Sequence, residues 1–246
     1  MANKMVMYEK TETVGIITIH HPEANNSINS QVIDALTDIC NEISFDDEIS
    51  VVIITGTGVG AFATGDKQNI KLLSVAEPIA KLKCPTIAAI NGDAFGQGLE
   101  LALACDIRIA AETARFAATQ ISSGIIPCDG ATQRLPRLLG INKAMEMILT
   151  GEIFDAKEAL LIGLVSKITP AQELLPATIE MGHKMAAQSS LALRFAKEAI
   201  NKGLDLPLEQ GLHLEADLYF LLQTTEDRIE GIKAFLEKRP PQFKGK

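Results

Sequence analysis

No run in this sequence is apolar for long enough to cross a bilayer: stretches such as Val51–Ile54 and Leu99–Cys105 fall far short of the roughly 18–20 residues needed. The opening residues, MANKMVMYEK, lack the apolar core of a secretion signal. A cytoplasmic protein with no membrane partner is therefore expected. Cysteine is scarce as well. Cys40, Cys84, Cys105 and Cys128 have neither CxxC spacing nor the density of a secreted disulfide scaffold, and they read as reduced thiols. His20, His21, His183 and His213 make no HExxH or other ligand spacing, so no metal is expected. Positive charge is the minority sign. With 23 Lys+Arg against 31 Asp+Glu the net charge is −8, an acidic balance that repels phosphate backbones and argues against nucleic acid as a partner.

What the chain has is apolar material. Its 246 residues, 47% hydrophobic and 22% charged, suffice to bury roughly 70–75% of the unfolded surface, which makes it globular. Short β-rich runs recur in the first half, at Val14–His20, Val51–Thr55, Thr86–Ile90 and Ile107–Ala110, each bounded by Gly, Pro, Asn or Asp. Between the first two, Gln31–Ile43 sets Val32, Ala35, Leu36, Ile39 and Ile43 at helical spacing. This alternation predicts an α/β core. After about Ala131 the pattern is helical: Thr132–Leu139, Lys143–Leu149, Ala156–Leu161, Leu174–Ala187, Leu191–Asn201, Leu208–Leu222 and Glu226–Lys238, interrupted by a strand-like Val165–Ile168. A soft boundary falls near Ser189, and the basic terminus LEKRPPQFKGK reads as a tail. No internal repeat is evident.

The most informative segment is NGDAFGQGLELALAC, Asn91 to Cys105. Three glycines form a tight loop running into an apolar helix, whose start presents unpaired N–H groups suited to an anion or a developing oxyanion. Glu100 is the only charge in Leu99–Cys105. An unpaired buried carboxylate costs several kcal/mol, so Glu100 is either functional, or favours the helix dipole, or pairs with a core arginine. A second glycine cluster, Gly56–Gly60, does not open a helix and lacks the acidic residue of a dinucleotide fingerprint. It reads as a flexible turn ahead of a pocket-lining segment.

In order along the chain, HPEANNSINS, VVIITGTGVGAFATGD, CPTIAAINGDAFGQGLELALACDIRIAAETARF, GIIPCDGATQRLPRLLG, MILTGEIFDAKEALLIGLVSKI and GIKAFLEKRPPQF resemble the crotonase family, the enoyl-CoA hydratase/isomerase superfamily, over nearly the whole length. The resemblance implies an α/β fold with a crotonase-like ββα spiral as acyl-CoA-binding core, residues 1–188. A helical C-terminal oligomerisation region, 189–246, would pack homotrimers or hexamers. It further implies acyl-CoA substrates, with coenzyme A part of the substrate and no other cofactor. Two backbone N–H groups, matched here by Asp66 and Gln97, would polarise the thioester carbonyl. Gln97 stands where glycine is usual.

Glu100 matches the glutamate that activates water in the hydratases, which turns its reading towards catalysis. The second family glutamate is replaced by Gln120, and an amide holds water but does not act as a general acid near neutral pH. Other members place a catalytic aspartate at the position of Cys128; Asp129, one residue on, is either a substitute carboxylate or, as favoured here, a cap for the helix after it. Ala24 and the run Asp66, Lys67, Gln68, Asn69 match the groove for the nucleotide and pantetheine. Phe235 and Lys238 match residues that reach CoA from a neighbouring helix or subunit, Lys238 reading equally as solvated tail charge. The connection from Lys67 to Lys83 is shorter than in the family, which reduces one pocket wall and makes bulky or cyclic acyl groups conceivable. The expectation is an enoyl-CoA hydratase; its alternatives are double-bond isomerisation or C–C cleavage by Glu100 alone, or a non-catalytic acyl-CoA-binding protein.

Overall fold

The computed structural model describes residues 5–65 and 74–246. Asp66, Lys67, Gln68 and Asn69 therefore lie outside the described residues. In chain order the first elements are β1 (Val6–Thr11), β2 (Val14–Ile19), β3 (Ser27–Ile28), α1 (Ser30–Ser44), β4 (Val51–Gly56), β5 (Ala61–Gly65) and α2 (Ala76–Ala80). There follow β6 (Thr86–Ile90), β7 (Asp93–Phe95), α3 (Gln97–Ala104), β8 (Ile107–Ala111), β9 (Arg115–Ala117), α4 (Ala131–Leu139) and α5 (Ile141–Thr150). The last are β10 (Phe154–Asp155), α6 (Ala156–Leu161), β11 (Lys167–Thr169), α7 (Leu174–Ala186), α8 (Ser190–Gly203), α9 (Leu208–Gln223) and α10 (Glu226–Glu237).

Two sheets organise the core. The larger runs β1-β2-β4-β6-β8-β11 and the smaller β10-β9-β7-β5-β3. Among the described residues only β1/β2 and β9/β10 pair antiparallel. From β2 to α3 the chain repeats one unit three times, a strand in the large sheet, a short strand in the small one, then a helix; this is the ββα spiral. Its strands read as continuous apolar runs because both faces of the large sheet are covered. Val52 and Ile54 of β4 point into the main core, whereas Val51 and Ile53 join Val14, Ile87 and Ile109 in a second cluster beneath Leu174, Ile179, Met181 and Met185 of α7.

The short strands escaped the sequence reading, as did β1. Strands of two or three residues, as β3, β7, β9 and β10 are, are too brief to display alternation, and β5 lies in the segment AFATGD that reads only as a connection. The strand expected at Val165–Ile168 begins two residues later, because the N–H groups of Leu164 and Val165 close back onto Ala159 O after α6. Nor is the Gly56–Gly60 turn flexible. Asn26 and Asn91 both donate to Ala61 O (2.7 and 3.0 Å), and also to Thr57 O and Gly58 O, while Gly56 N–H donates to Asn91 Oδ1.

Helix α8 meets the spiral through a largely buried ion pair, Lys197 donating to Asp106 Oδ2 (2.7 Å) and to Cys84 O, and through a looser one between Arg194 and Asp47 (3.7 Å). The basic terminus is not a free tail, contrary to the sequence reading. Arg239 forks onto Glu230 (2.6 and 2.9 Å), and buried Asp227 accepts the N–H groups of Lys244 and Gly245. Buried carboxylates capture these amides because an unpaired charge there would be costly. Among the described residues no helix is long and apolar enough to cross a membrane.

The contact between α3 and β5 is the tightest in the spiral. A Cβ on Gly98 would lie 1.8 Å from Ala63 O, a backbone atom that cannot yield. Gly98→Ala should therefore lower folding stability by at least about 2 kcal/mol in urea unfolding, since overpacking against a fixed backbone admits no rotamer escape. A loss below 0.5 kcal/mol would contradict the packing.

Candidate active site

The site forms where three segments meet at the start of α3. Strand β7 ends at Phe95, and Gly96 turns the chain at φ +58°, a left-handed conformation that favours glycine, while its N–H donates to Ala117 O of β9 (2.9 Å). Gln97 is thus the first residue of α3, and its N–H has no acceptor within the helix. Gly65, at the end of β5, abuts that N–H: a Cβ built on it would sit 3.5 Å away. The second expected donor, Asp66, lies outside the described residues.

One turn further along α3, Glu100 is fully enclosed. No arginine pairs with it. Its Oε1 accepts the backbone N–H groups of Asp129 (2.7 Å) and Ala131 (3.2 Å), and its Oε2 accepts Nε2 of Gln120 (2.8 Å). Burial pushes the Glu100 carboxyl above the ordinary carboxylate range; the two amides and Gln120 pull it back, and the Asp129 carboxylate pushes it up again. Gln120 sits in the single-turn helix Thr119–Ser123, and its buried Oε1 has no partner among the described residues. A polar atom so placed needs a ligand or water to satisfy it.

Gln97 and Gln120 line a cleft of about 890 Å³ together with Gly65, Phe95, Ser122 and Cys128 among others, and Glu100 lies buried directly behind Gln120. Cys128 is exposed there, and partial desolvation with the neighbouring Glu100 and Asp129 carboxylates pushes its thiol pKa up. Asp129 corrects the sequence reading. It does not cap the following helix, whose N-cap is Gly130 without a side-chain bond. Its carboxylate instead accepts Val75 N–H (2.7 Å), Ala76 N–H (3.0 Å) and the Ser74 hydroxyl, and so caps α2. Ala24 ends a short turn beside Asn25, which borders the cleft; Phe235 is exposed on α10 and Lys238 ends it, neither bordering the cleft.

Sequence reasoning missed a charged pair in the same wall. Arg115 of β9 donates to both oxygens of Asp93 on β7 (2.8 and 2.7 Å) and lies over the Phe95 ring at 5.6 Å. The signal available was an Asp and an Arg that each open a short strand, legible only once the strands are known to be neighbours.

A ββα spiral that sets a buried carboxylate beside a helix N-terminus and a polar cleft defines the crotonase-fold class. The comparisons agree: the enoyl-CoA hydratase/isomerase family model matches residues 9–246, and the chain belongs to that family. It is 40% identical over 254 residues to a probable enoyl-CoA hydratase of Mycobacterium tuberculosis, with 99% of each chain covered. It is 38% identical to the 2,3-dehydroadipyl-CoA hydratase of Escherichia coli, over 98% of this chain and 99% of that one. Among solved structures, the enoyl-CoA hydratase of Bacillus anthracis superposes with a TM-score of 0.95 at 38% identity, covering 98% of this chain and 100% of that one.

The raised Glu100 carboxyl has two consequences of defined sign. A base must be ionised, so if Glu100 has that role kcat/KM on an enoyl-CoA should fall on acidification with an apparent pKa above 4.5, and Glu100→Gln should remove that limb. For stability the order reverses: the group favours the folded state below its unfolded pKa, and that contribution is lost as pH rises through the folded value. The glutamine variant should thus gain stability over the parent at neutral pH, read as a higher Tm. An acid limb at or below 4.5 would contradict the burial.

Proposed function

We propose that the chain is an enoyl-CoA hydratase, adding water across the 2,3-double bond of an acyl-CoA thioester with Glu100 as the single acid–base group. The observation that carries this reading is Gln120, whose Nε2 donates to Glu100 Oε2 while its buried Oε1 has no hydrogen-bond partner among the described residues. A carboxylate has no proton to give, so the Gln120 amide turns its nitrogen to Glu100 and leaves its oxygen as an acceptor. A water donating one hydrogen to each oxygen would keep its lone pair free to attack Cβ.

As the O–Cβ bond forms, Glu100 takes the water's proton and the π electrons move onto the thioester oxygen. The Gln97 N–H stabilises that enolate, with the residue-66 N–H as expected partner. Such a donor is worth roughly 10²–10³ in rate. The enolate then collapses and Cα takes a proton. Gln120 has none to give, so the proton returns from Glu100, and the sum is addition of one water. Coenzyme A enters only as part of the substrate. Ala24 and residues 67–69 are proposed to line its groove, with Phe235 and Lys238 reaching it from a helix or subunit nearby. The homotrimer or hexamer is proposed on the apolar side chains that the C-terminal helices leave exposed, Leu204, Leu212, Phe220, Ile229, Phe235 and Leu236.

Incubation with a panel of enoyl-CoA thioesters in heavy water tests the reaction. Gain of water is expected, whereas deuterium at a shifted double bond would mean isomerisation and overturn the proposal. Glu100→Gln should lower turnover at least ~10²-fold with the fold intact, because a glutamine oxygen still accepts the two amides. Gln120→Glu should accelerate hydration of crotonyl-CoA most at low pH, where one of two adjacent carboxyls stays protonated and can donate to Cα. An unchanged or lower rate at every pH would refute the single-carboxylate scheme. Light scattering should give a trimer or hexamer, and a stable monomer at micromolar concentration would refute the assembly.

A further inference from the structure

The stretch 126–129 has little of its own to hold it. Among the described residues, none of its backbone groups bonds another backbone group, and the helix that follows starts at Gly130, in a left-handed conformation at φ +106° with no side-chain cap. Yet this stretch must deliver the N–H of Asp129, and the residue after Gly130 the N–H of Ala131, to a single oxygen of Glu100. Two contacts fix it from outside. Arg134 donates through Nη1 to Asp129 O (2.9 Å), and the buried Asp129 carboxylate takes the N–H groups of Val75 and Ala76 and the hydroxyl of Ser74.

Helix α2, which begins at these amides, packs against α3, the helix that carries Glu100. The contacts therefore close a ring: Glu100 on α3, the turn at 128–131, the start of α2, and α3 again. With both carboxylate oxygens engaged at α2, Asp129 has no part in donating a proton to substrate. Its role is indirect.

We propose that Asp129 is a positioning residue for Glu100: its carboxylate pins the turn at 128–131 to the start of α2, so that the turn's two amides stay on Glu100 Oε1 and leave Oε2 as the base. The inference rests on the reading of Glu100 as the acid–base group. It predicts an effect that passes through Glu100 and nothing else. Asp129→Ala should lower kcat roughly 10- to 100-fold, the scale on which small misplacements of a catalytic group act, with KM changed less than about threefold. Asp129→Asn, which keeps an acceptor for the α2 amides, should recover most of the loss.

The decisive measurement is a double-mutant cycle on crotonyl-CoA hydration, with each variant's folding checked by thermal unfolding. In the Glu100→Gln background, adding Asp129→Ala should change the residual kcat by less than about twofold, because the group being positioned is gone. Should the alanine variant not fold, the asparagine variant carries the same cycle, with a smaller loss in the parent that again vanishes in the Glu100→Gln background. An equal loss in both backgrounds, or a loss expressed in KM alone, would overturn the proposal. Wild-type turnover by Glu100→Gln itself would instead remove the hydratase reading, and the positioning role with it.

Discussion

The structure depends on one constraint: a carboxylate taken fully out of water inside an apolar helix must be met by hydrogen bonds from elsewhere in the chain. Left alone, Glu100 would cost several kcal/mol. Its donors lie 20, 29 and 31 residues away in sequence. The turn at Thr119–Ser123 and the turn at 128–131 must therefore be in place before α3 is tolerable, so folding and assembly of the site are a single problem.

A second constraint acts at the very start of α3. Its first N–H groups can meet a ligand only if the surrounding backbone packs closely, and the chain achieves this by omission of side chains. Gly98 lets α3 lie against Ala63 O, and Gly92 lets the start of β7 meet the Gly60–Ala61 backbone. Close packing of backbone on backbone holds the Gln97 N–H in place, and a fixed dipole is what the proposed oxyanion role requires. Gln97 itself borders the cleft.

At this end of α3 the proposed chemistry rests on one ionisable group. Where the family has two glutamates, the Glu100–Gln120 pair offers one proton acceptor and one fixed acceptor that never titrates. Two adjacent carboxylates would repel and split their pKa values, whereas the amide leaves Glu100 governed by its burial and by the Asp129 charge behind it. The rest of the cleft wall is more polar than a plain hydrocarbon chain would need, with the Arg115–Asp93 fork laid over Phe95.

Much of this was legible in the residues. The large-sheet strands β2, β4, β6 and β8 and the helices from α4 to α10 follow from apolar runs and spacing, which survive in the sequence whether the apolar face is packed on the core, as on α7, or left exposed, as on α9. Glu100 stood out as a lone charge in an apolar helix, and the order of six motifs gave the family. The tertiary structure decided what no local pattern carries. The small sheet is made of strands too short to show alternation, held by neighbours rather than by propensity. The direction of the Asp129 carboxylate, towards α2 and not the helix that follows it, and the pinning of the basic terminus by Asp227 and Glu230, depend on which backbone amides were left without partners nearby. The sequence by itself determined which groups must be buried; only the assembled chain decided which distant donors would meet them, because a hydrogen bond is satisfied in space and leaves no period along the chain.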